Sequence, residues 1–308
     1  MSLESKTLRE NSMFKNLDPT ALGVSGHQSE IIELALTYGF RGIDVAIAEF
    51  ATRVKLRGMP YARRLFDSAK IRVGRFPLPL DWEAEEEVFK KELEKLEQYA
   101  QVAAEVGCIR CVATIAPAGD SRPYHENFEF HRRRFAEICK ALEPAGVWLG
   151  IGFRGAEDLR KGKAFQFVHD FDALSLLVNM VGAPNIGILL DVWNLYVSGG
   201  ALENIRKLSG RQIVAVQLAD APLEEPITKL TEDGRLLPGS NGQIDLAAVL
   251  TVLGGIGYDG PVTPKPSRKA LSGTRRDAAV KLAGEGLSRL WKAAGLAPEG
   301  RMLASAAR

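Results

Sequence analysis

The segment IGILLDVWNLYVSGG, residues 186–200, is the most informative stretch of this chain for the fold. It begins with a run of branched apolar residues, which is typical of a parallel strand that is buried on both faces by helices. The run ends abruptly at Asp191. A carboxylate in that place has no packing role, but at the C-terminal mouth of a parallel barrel it would project toward a site. The segment therefore predicts a parallel α/β sheet that carries a functional residue at the end of a strand.

Strand-like and helix-like segments alternate along the rest of the chain, which is typical of repeated βα units. Apolar or β-branched runs predict strands at 22–25, 42–47, 71–76, 109–115, 147–153, 186–191, 213–218 and 260–264. About eight such units in a chain of 308 residues predict a single (β/α)8 TIM barrel. A doubly wound open sheet is the alternative, but the Gly-rich phosphate loop that usually follows its first strand is absent from the sequence.

The barrel is predicted to occupy residues 17–296, because the flanking segments lack its pattern. Residues 1–16 are polar and predict a flexible N-terminal arm, and residues 297–308 predict a C-terminal tail. No apolar run is long enough to span a bilayer, and the N-terminus lacks the apolar core of a signal peptide. The net charge of +2 is too balanced to indicate a nucleic-acid or membrane partner.

The cysteines are sparse and odd in number, which favours a reducing cytoplasm over a disulfide framework. They are Cys108, Cys111 and Cys139. The first two have the spacing of a zinc or redox motif, but they lie in an apolar, strand-like run and no second pair exists. We therefore expect a structural role for them.

Functional side chains of such a barrel stand where strands end. The candidates at these positions are Arg75, Gly152, Arg154, Asp191, Asn194, Gln217, Asp220 and Lys265. Arg75 and Arg154 could bind an anionic group, or they could be a solvated arginine and the partner of a neighbouring acid. Trp193 could stack on a substrate ring or pack between barrel and helix. His125 could act as an acid or base because imidazole titrates near neutrality, or it could be an ordinary surface histidine.

Five passages of the sequence together resemble a known family. They are GIGFRG at 150–155, LDVWN at 190–194 with SGG at 198–200, VQLADAP at 216–222, RLLPG at 235–239 and GYDGPV at 257–262. As a set they are similar to the xylose-isomerase-like TIM barrels, which include sugar-phosphate isomerases and epimerases and the AP endonuclease 2 fold. The resemblance extends from about residue 22 to about residue 296. It implies a small polyol, keto-sugar or cyclic hydroxyketone as the ancestral substrate.

The resemblance also implies a divalent metal, Mn²⁺, Mg²⁺, Co²⁺ or Zn²⁺, held after strands five to eight by Glu, Asp, His or Gln, and Glu. Asp191 and Gln217 match the second and third positions, and Gln is also found in the dehydroshikimate-dehydratase-like branch. The first and fourth positions hold Gly152 and Lys265, and Asn194 replaces a histidine that is common in the family. An ammonium about 4 Å from an ion would oppose its binding by about 4 kcal/mol per unit charge at an effective dielectric constant of about 20. We therefore expect no bound metal and no other cofactor.

The replacements suggest new chemistry centred on Lys265. A lysine in an apolar barrel mouth loses solvation, so its pKa should fall, and the free amine could form a Schiff base for aldol or retro-aldol cleavage. Asp191 would be its charge partner or proton shuttle, Gln217 and Arg154 would orient the substrate, and Gly152 would leave room beside the amine. Such a pattern could also come from deliberate redesign of the scaffold.

Three hypotheses follow for the function. The first is a lysine-centred lyase that acts on a small carbonyl or sugar-like substrate. The second is a metal-dependent isomerase, epimerase or dehydratase in which Asp44 or Asp220 adds an oxygen ligand to Asp191 and Gln217. The third is a binding protein without turnover, in which Lys265 pairs with Asp191. A homo-oligomer is compatible with all three, because dimers and tetramers are common in similar barrels.

Overall fold

The computed structural model describes residues 12–240 and 242–303. Its strands are β1 (Phe14–Leu17), β2 (Gly42–Ile43), β3 (Arg72–Val73), β4 (Phe76–Pro77), β5 (Arg110–Thr114), β6 (Ala118–Gly119), β7 (Trp148–Gly152), β8 (Phe165–Gln166), β9 (Ile186–Asp191), β10 (Ile213–Leu218) and β11 (Pro261–Pro264). Its α-helices are α1 (Gln28–Thr37), α2 (Ile47–Arg57), α3 (Met59–Ala69), α4 (Glu86–Glu105), α5 (Tyr124–Leu142), α6 (Phe171–Val181), α7 (Val192–Val197), α8 (Leu202–Arg206), α9 (Leu246–Gly255) and α10 (Arg276–Ala293). Strands and helices therefore alternate through the chain as the sequence pattern predicts.

The strands of the main sheet are parallel, and the sheet closes on itself. Its order is β3-β2-β1-β11-β10-β9-β7-β5-β4. The two ends, β3 and β4, are separated along the chain only by Gly74 and Arg75, so together they form one interrupted barrel strand. The remaining strands, β6 and β8, form a short antiparallel pair outside the barrel. The predicted single (β/α)8 barrel is thus confirmed.

The first barrel strand differs from the prediction. It is β1, whereas the predicted segment 22–25 lies in the turn and loop that follow it. Leu22 and Val24 are buried in the core, so their apolar character reflects loop packing rather than a strand. The strand itself carries Lys15 and Asn16, whose polar groups are bonded to distant parts of the chain. Tertiary contacts therefore make a strand out of a sequence that has little strand pattern.

Tertiary contacts also involve residues at both predicted ends of the barrel. The arm was expected to end at residue 16, but that boundary falls inside β1, and residues 1–11 lie outside the described part of the chain. At the other end, Leu296 and Met302 form an antiparallel bridge, and Ser12 donates a hydrogen bond to the carbonyl of Glu299 at 2.7 Å. The first part of the predicted tail is thus bonded to the start of the barrel, while residues 304–308 lie outside the described residues.

Strand ends place the charged residues at one mouth of the barrel. β2 ends at Ile43, earlier than predicted, so Asp44 follows it directly. Lys265 follows β11, and its backbone amide donates to the carbonyl of Leu218 at 2.7 Å. Asp191 ends β9 and also caps α7, because its Oδ1 accepts a hydrogen bond from the backbone amide of Asn194 at 3.1 Å.

The cysteine side chains are part of the core. The three cysteines are free and buried, and burial raises the pKa of the Cys108 and Cys139 thiols to about 12. This supports the structural role expected for them.

Among the described helices, none combines the length and the apolar character that crossing a bilayer would require.

Candidate active site

A cavity of about 760 Å³ opens at the carboxyl ends of the strands. Its charged lining residues are Asp18, Asp44, Glu49, Arg53, Arg75 and Lys265. Apolar side chains such as Phe50, Leu78 and Trp82 form other parts of its wall, and Gln217 reaches it from β10. A concave, partly apolar pocket with convergent charged groups is the usual form of a small-molecule site.

Lys265 lies at this cavity. Within the described residues its ammonium makes no hydrogen bond and no salt bridge, and its side chain is partly buried. Burial lowers the pKa of Lys265, and the nearby Arg75 and Arg235 guanidinium groups lower it further, while Asp18 and Asp191 act in the opposite direction. The amine is therefore more readily deprotonated than an ordinary lysine.

Asp191 is paired with Arg235 rather than with Lys265. The Arg235 Nη2 donates to Asp191 Oδ2 at 2.5 Å, and both side chains are buried. The same guanidinium donates from Nε to the backbone carbonyl of Lys265 at 3.1 Å and lies over the Trp193 ring, 4.9 Å from its centroid. Arg235 therefore links the end of β9 to the residue after β11, on either side of β10, and brings a positive charge to the mouth.

Arg235 was not predicted from the sequence as a site residue. The signal was present, since Arg235 opens the passage RLLPG that supports the family resemblance. It lies in the long loop between β10 and α9, however, and a loop position carries no periodic pattern that would point it into the barrel.

Gln217 joins this pair to a second network. With its amide nitrogen turned toward Asp191, that nitrogen donates to Asp191 Oδ2 at 3.0 Å. The amide oxygen then accepts hydrogen bonds from Nη1 and Nη2 of Arg75 at 2.8 and 3.0 Å. The opposite orientation would face oxygen with oxygen and nitrogen with nitrogen, so the hydrogen-bond network determines the amide position.

Arg75 is the centre of the second network. It is buried, its Nε donates to Asp44 Oδ2 at 2.7 Å, and its Nη2 lies 3.3 Å from Asp18 Oδ2. Asn16 donates from Nδ2 to Asp44 Oδ1 at 2.7 Å and to the hydroxyl of Thr263 at 3.0 Å. Burial raises the pKa of Asp44 to about 6, with Asp18 adding to the rise and Arg75 and Asn16 opposing it.

The other proposed site residues lie apart from the cavity or serve the frame around it. Arg154 makes a two-point ion pair with Glu232 at 2.8 and 2.7 Å. Trp193 is fully buried beneath Arg235, and Asn194 accepts a hydrogen bond from the backbone amide of Gly155 at 2.9 Å. His125 is 83% exposed on the first turn of α5 and is not among the described residues that line the cavity.

The space beside Gly152 is occupied. A Cβ built on Gly152 would lie 3.1 Å from Cδ2 and 3.3 Å from the carbonyl oxygen of Leu189. Leu189 itself lines the cavity. Gly152 thus admits a leucine side chain where the resemblance implies a glutamate, and the room expected beside Lys265 comes from elsewhere in the mouth.

The residues present do not fit a divalent cation. Asp191 is the one carboxylate at the four positions that the resemblance implies, and Arg235 and Gln217 already bond its Oδ2. Arg235 is bonded to Asp191, Arg75 is bonded to Gln217, and Lys265 occupies the fourth position, so positive charges adjoin the positions of the implied ligands. Residues 12–240 and 242–303 also hold no group of three or more His, Cys, Asp or Glu side chains that could share an ion. That the protein works without a metal stays a prediction.

Comparisons with curated proteins give partial matches. The chain is 30% identical over 127 residues to the inosose isomerase of Bacillus subtilis, a match that spans 41% of this chain and 42% of that protein. It is 31% identical over 97 residues to the 3-dehydroshikimate dehydratase of Pseudomonas putida, which spans 31% of this chain and 15% of that protein. The chain thus covers well under half the length of these relatives.

Solved structures match over nearly the whole chain. A xylose isomerase domain protein from Alicyclobacillus acidocaldarius superposes with a TM-score of 0.83 at 25% identity, covering 92% of this chain and 99% of that one. The IOLI protein, whose structure holds a zinc atom, superposes with a TM-score of 0.73 at 18% identity over 92% of this chain and 98% of that one. Residues 32–290 match the family model described as xylose isomerase-like TIM barrel, and the chain therefore belongs to that family.

Proposed function

We propose that this protein is a metal-independent enzyme that uses Lys265 to form a Schiff base with a small, sugar-like carbonyl compound. The observation that carries the proposal is the environment of the Lys265 amine. It faces a cavity, has no hydrogen-bond or ion-pair partner among the described residues, and has a pKa lowered by burial and by two neighbouring guanidinium groups. An amine with these properties is a nucleophile rather than a structural cation.

The chemistry begins with attack of the Lys265 nitrogen on the carbonyl carbon. Loss of water gives an iminium ion, which accepts an electron pair from an adjacent bond. In retro-aldol cleavage the β-hydroxyl loses its proton, the bond between the α and β carbons breaks, an aldehyde leaves and an enamine remains. Protonation of the enamine and hydrolysis of the imine release the second product and restore the amine.

The surrounding charges suit this sequence. Arg75 and Arg235 favour the neutral amine, because each positive charge disfavours an ammonium nearby. Asp191 has the opposite influence and also holds Arg235 and Gln217 in place. In this proposal Asp191 therefore influences the lysine only through its negative charge while it is paired with Arg235, and Gln217 and Arg75 present fixed hydrogen-bonding groups at the cavity.

The relatives support an enzyme and a small, sugar-like substrate, because they are named inosose isomerase and 3-dehydroshikimate dehydratase. These names also favour a second candidate, isomerisation or epimerisation of the same kind of substrate. The enamine would then be protonated at carbon without cleavage. A cytoplasmic location and a homo-oligomer stay predictions for this protein.

Reductive trapping tests the proposal. The protein is incubated with dihydroxyacetone and borohydride, and the modified lysines are mapped by peptide mass spectrometry. We expect the adduct on Lys265 in the wild type and its loss in Lys265→Met, which removes the amine and keeps most of the apolar stem. Lys269→Met is the matched control, because Lys269 is an exposed lysine just after it and should leave the adduct unchanged. Equal labelling of Lys265 and surface lysines would contradict the proposal.

A further inference from the structure

Asp44 shares the cavity with Lys265 and is held in one position. Arg75 donates to one carboxylate oxygen and Asn16 to the other, both at 2.7 Å. A carboxylate offers about four lone-pair sites, so each oxygen keeps capacity for another partner. Asp44 lines the cavity with 9% of its side chain exposed, and this capacity is available to a bound molecule.

Two other carboxylates near Lys265 are less suited to proton transfer. Asp191 accepts from the Asn194 amide on one oxygen and from Arg235 and Gln217 on the other, and it is not among the described residues that line the cavity. Asp18 lines the cavity, but its Oδ1 accepts from the backbone amide of Ala21 at 3.0 Å and so closes a turn. Asp44 alone among the three combines access to the cavity with two side-chain supports.

The electrostatics at Asp44 agree with such a role. The charged groups that act on Asp44 are Asp18 after β1 and Arg75 between β3 and β4. Lys265, Glu49 and Arg53 line the same cavity. Burial raises the pKa of Asp44 to about 6, while Arg75 keeps the pKa from rising further. A carboxyl group with a pKa close to the working pH both takes and returns a proton readily.

We propose that Asp44 is the general base that removes the α-proton of the imine formed on Lys265, and the general acid that returns it. This inference rests on the proposed function and adds the proton carrier to it. After water has left and the iminium has formed, an Asp44 oxygen takes the proton from the α-carbon. The electron pair of that C–H bond forms the C=C bond of the enamine, and the pair of the C=N bond moves to nitrogen. Return of the proton and hydrolysis restore the ketone and the amine.

Two measurements on the whole protein separate imine formation from proton transfer. Dihydroxyacetone is incubated in D₂O, and exchange of its carbon-bound hydrogens is followed by NMR, while the Lys265 adduct is trapped with borohydride in parallel. In Asp44→Asn we expect the adduct at a level close to that of the wild type, and exchange about 100-fold slower. The retained adduct also shows that the variant has folded around a working lysine.

The outcomes discriminate between the two proposals. Absence of an adduct in the wild type overturns the proposed function, and this inference with it. An adduct together with unchanged exchange in Asp44→Asn overturns the inference alone. Loss of exchange in Asp18→Asn with retention in Asp44→Asn assigns the proton transfer to Asp18 and likewise overturns it.

A pH profile of the wild type gives a test that needs no variant. The ratio of the exchange rate to the trapping rate should fall as the pH drops below about 6, because protonated Asp44 cannot act as a base. A ratio that stays constant across this range would overturn the assignment.

Discussion

The two halves of the barrel mouth differ in how their polar groups are used. On the side of β7, β9 and β10, Asp191 and Gln217 are bonded to arginines, and Leu189 fills the space beside Gly152. On the side of β1 to β4, Asp44 and Arg75 line an open cavity. The resemblance implies a metal centre on the first side, yet that side is closed by its own contacts. In this chain most of the cavity wall comes from the second side, Leu189 and Gln217 border the cavity from the first, and Lys265 stands between the two.

The largest effect on stability should come from removing the buried ion pair of Arg235 and Asp191 on the closed side. Arg235→Met removes the guanidinium and leaves Asp191 buried without its ionic partner, which typically costs about 3–5 kcal/mol. Arg154→Met is the control, because the Arg154–Glu232 pair is 39% and 32% exposed, and such pairs contribute about 0–1 kcal/mol. Urea denaturation of both variants measures the difference. Equal losses would show that burial of the Asp191 pair has no special energetic weight.

The pH dependence of stability should differ in sign between Asp44 at the cavity and the buried His131. Burial raises the pKa of Asp44 to about 6, so between about pH 4 and about pH 6 the folded chain keeps a proton that the unfolded chain releases, and stability falls as the pH rises. Burial lowers the pKa of His131 to about 4, so between about pH 4 and about pH 6.5 the unfolded chain holds the extra proton, and stability rises with pH. Each contribution is about 3 kcal/mol, with opposite sign.

Variants that lack one of the two groups should reveal the pH dependence of stability that the other group causes. In the wild type we expect the two contributions to oppose each other and nearly cancel. Asp44→Asn should leave stability rising with pH across this range, and His131→Phe should leave it falling, as measured by urea denaturation in a series of buffers. If the three proteins showed parallel pH profiles, the two groups would titrate alike in the folded and unfolded states.

The sequence predicts the fold well because its signal is repeated. The predicted strands 186–191 and 213–218 coincide with β9 and β10, since both are continuous apolar runs. β1 has no such run, and its Lys15 and Asn16 donate hydrogen bonds to Ser288, Asp44 and Thr263, which lie far away in the sequence. A local pattern cannot show a contact of that kind.

The site is predictable to the extent that it lies at strand ends. Arg75, Gln217 and Lys265 were expected at the mouth for that reason, and all three line the cavity. Arg235 enters from a loop, and the ion pair of Arg154 depends on Glu232, which lies 78 residues further along the chain. Sequence position determines where a strand points, but it does not determine which charges meet.

A smaller effect is expected from a single methyl group on the closed side. In Gly152→Ala the new Cβ would lie 3.1 Å from Leu189 Cδ2 and 3.3 Å from the Leu189 carbonyl oxygen. Because the backbone oxygen cannot move away, overpacking should destabilise the protein by about 1–3 kcal/mol. Gly119→Ala is the control, since a Cβ at Gly119 meets no atom within 4 Å. A neutral Gly152→Ala, measured by urea denaturation, would mean that Leu189 can withdraw and that space for a longer side chain exists.

The smallest expected effect is that of metal removal, which tests whether the side of β7, β9 and β10 is closed to an ion. Because Asp191 is bonded to Arg235 and the positive charges of Lys265 and Arg75 lie nearby, an ion would have to displace the arginine and remain beside the lysine. We therefore expect treatment with EDTA, or dialysis against Mn²⁺ or Zn²⁺, to leave both the Lys265 adduct and the metal content unchanged. One equivalent of metal, retained by the wild type and lost in Asp191→Asn, would mean that the closed side opens to an ion and that the second network serves a metal enzyme.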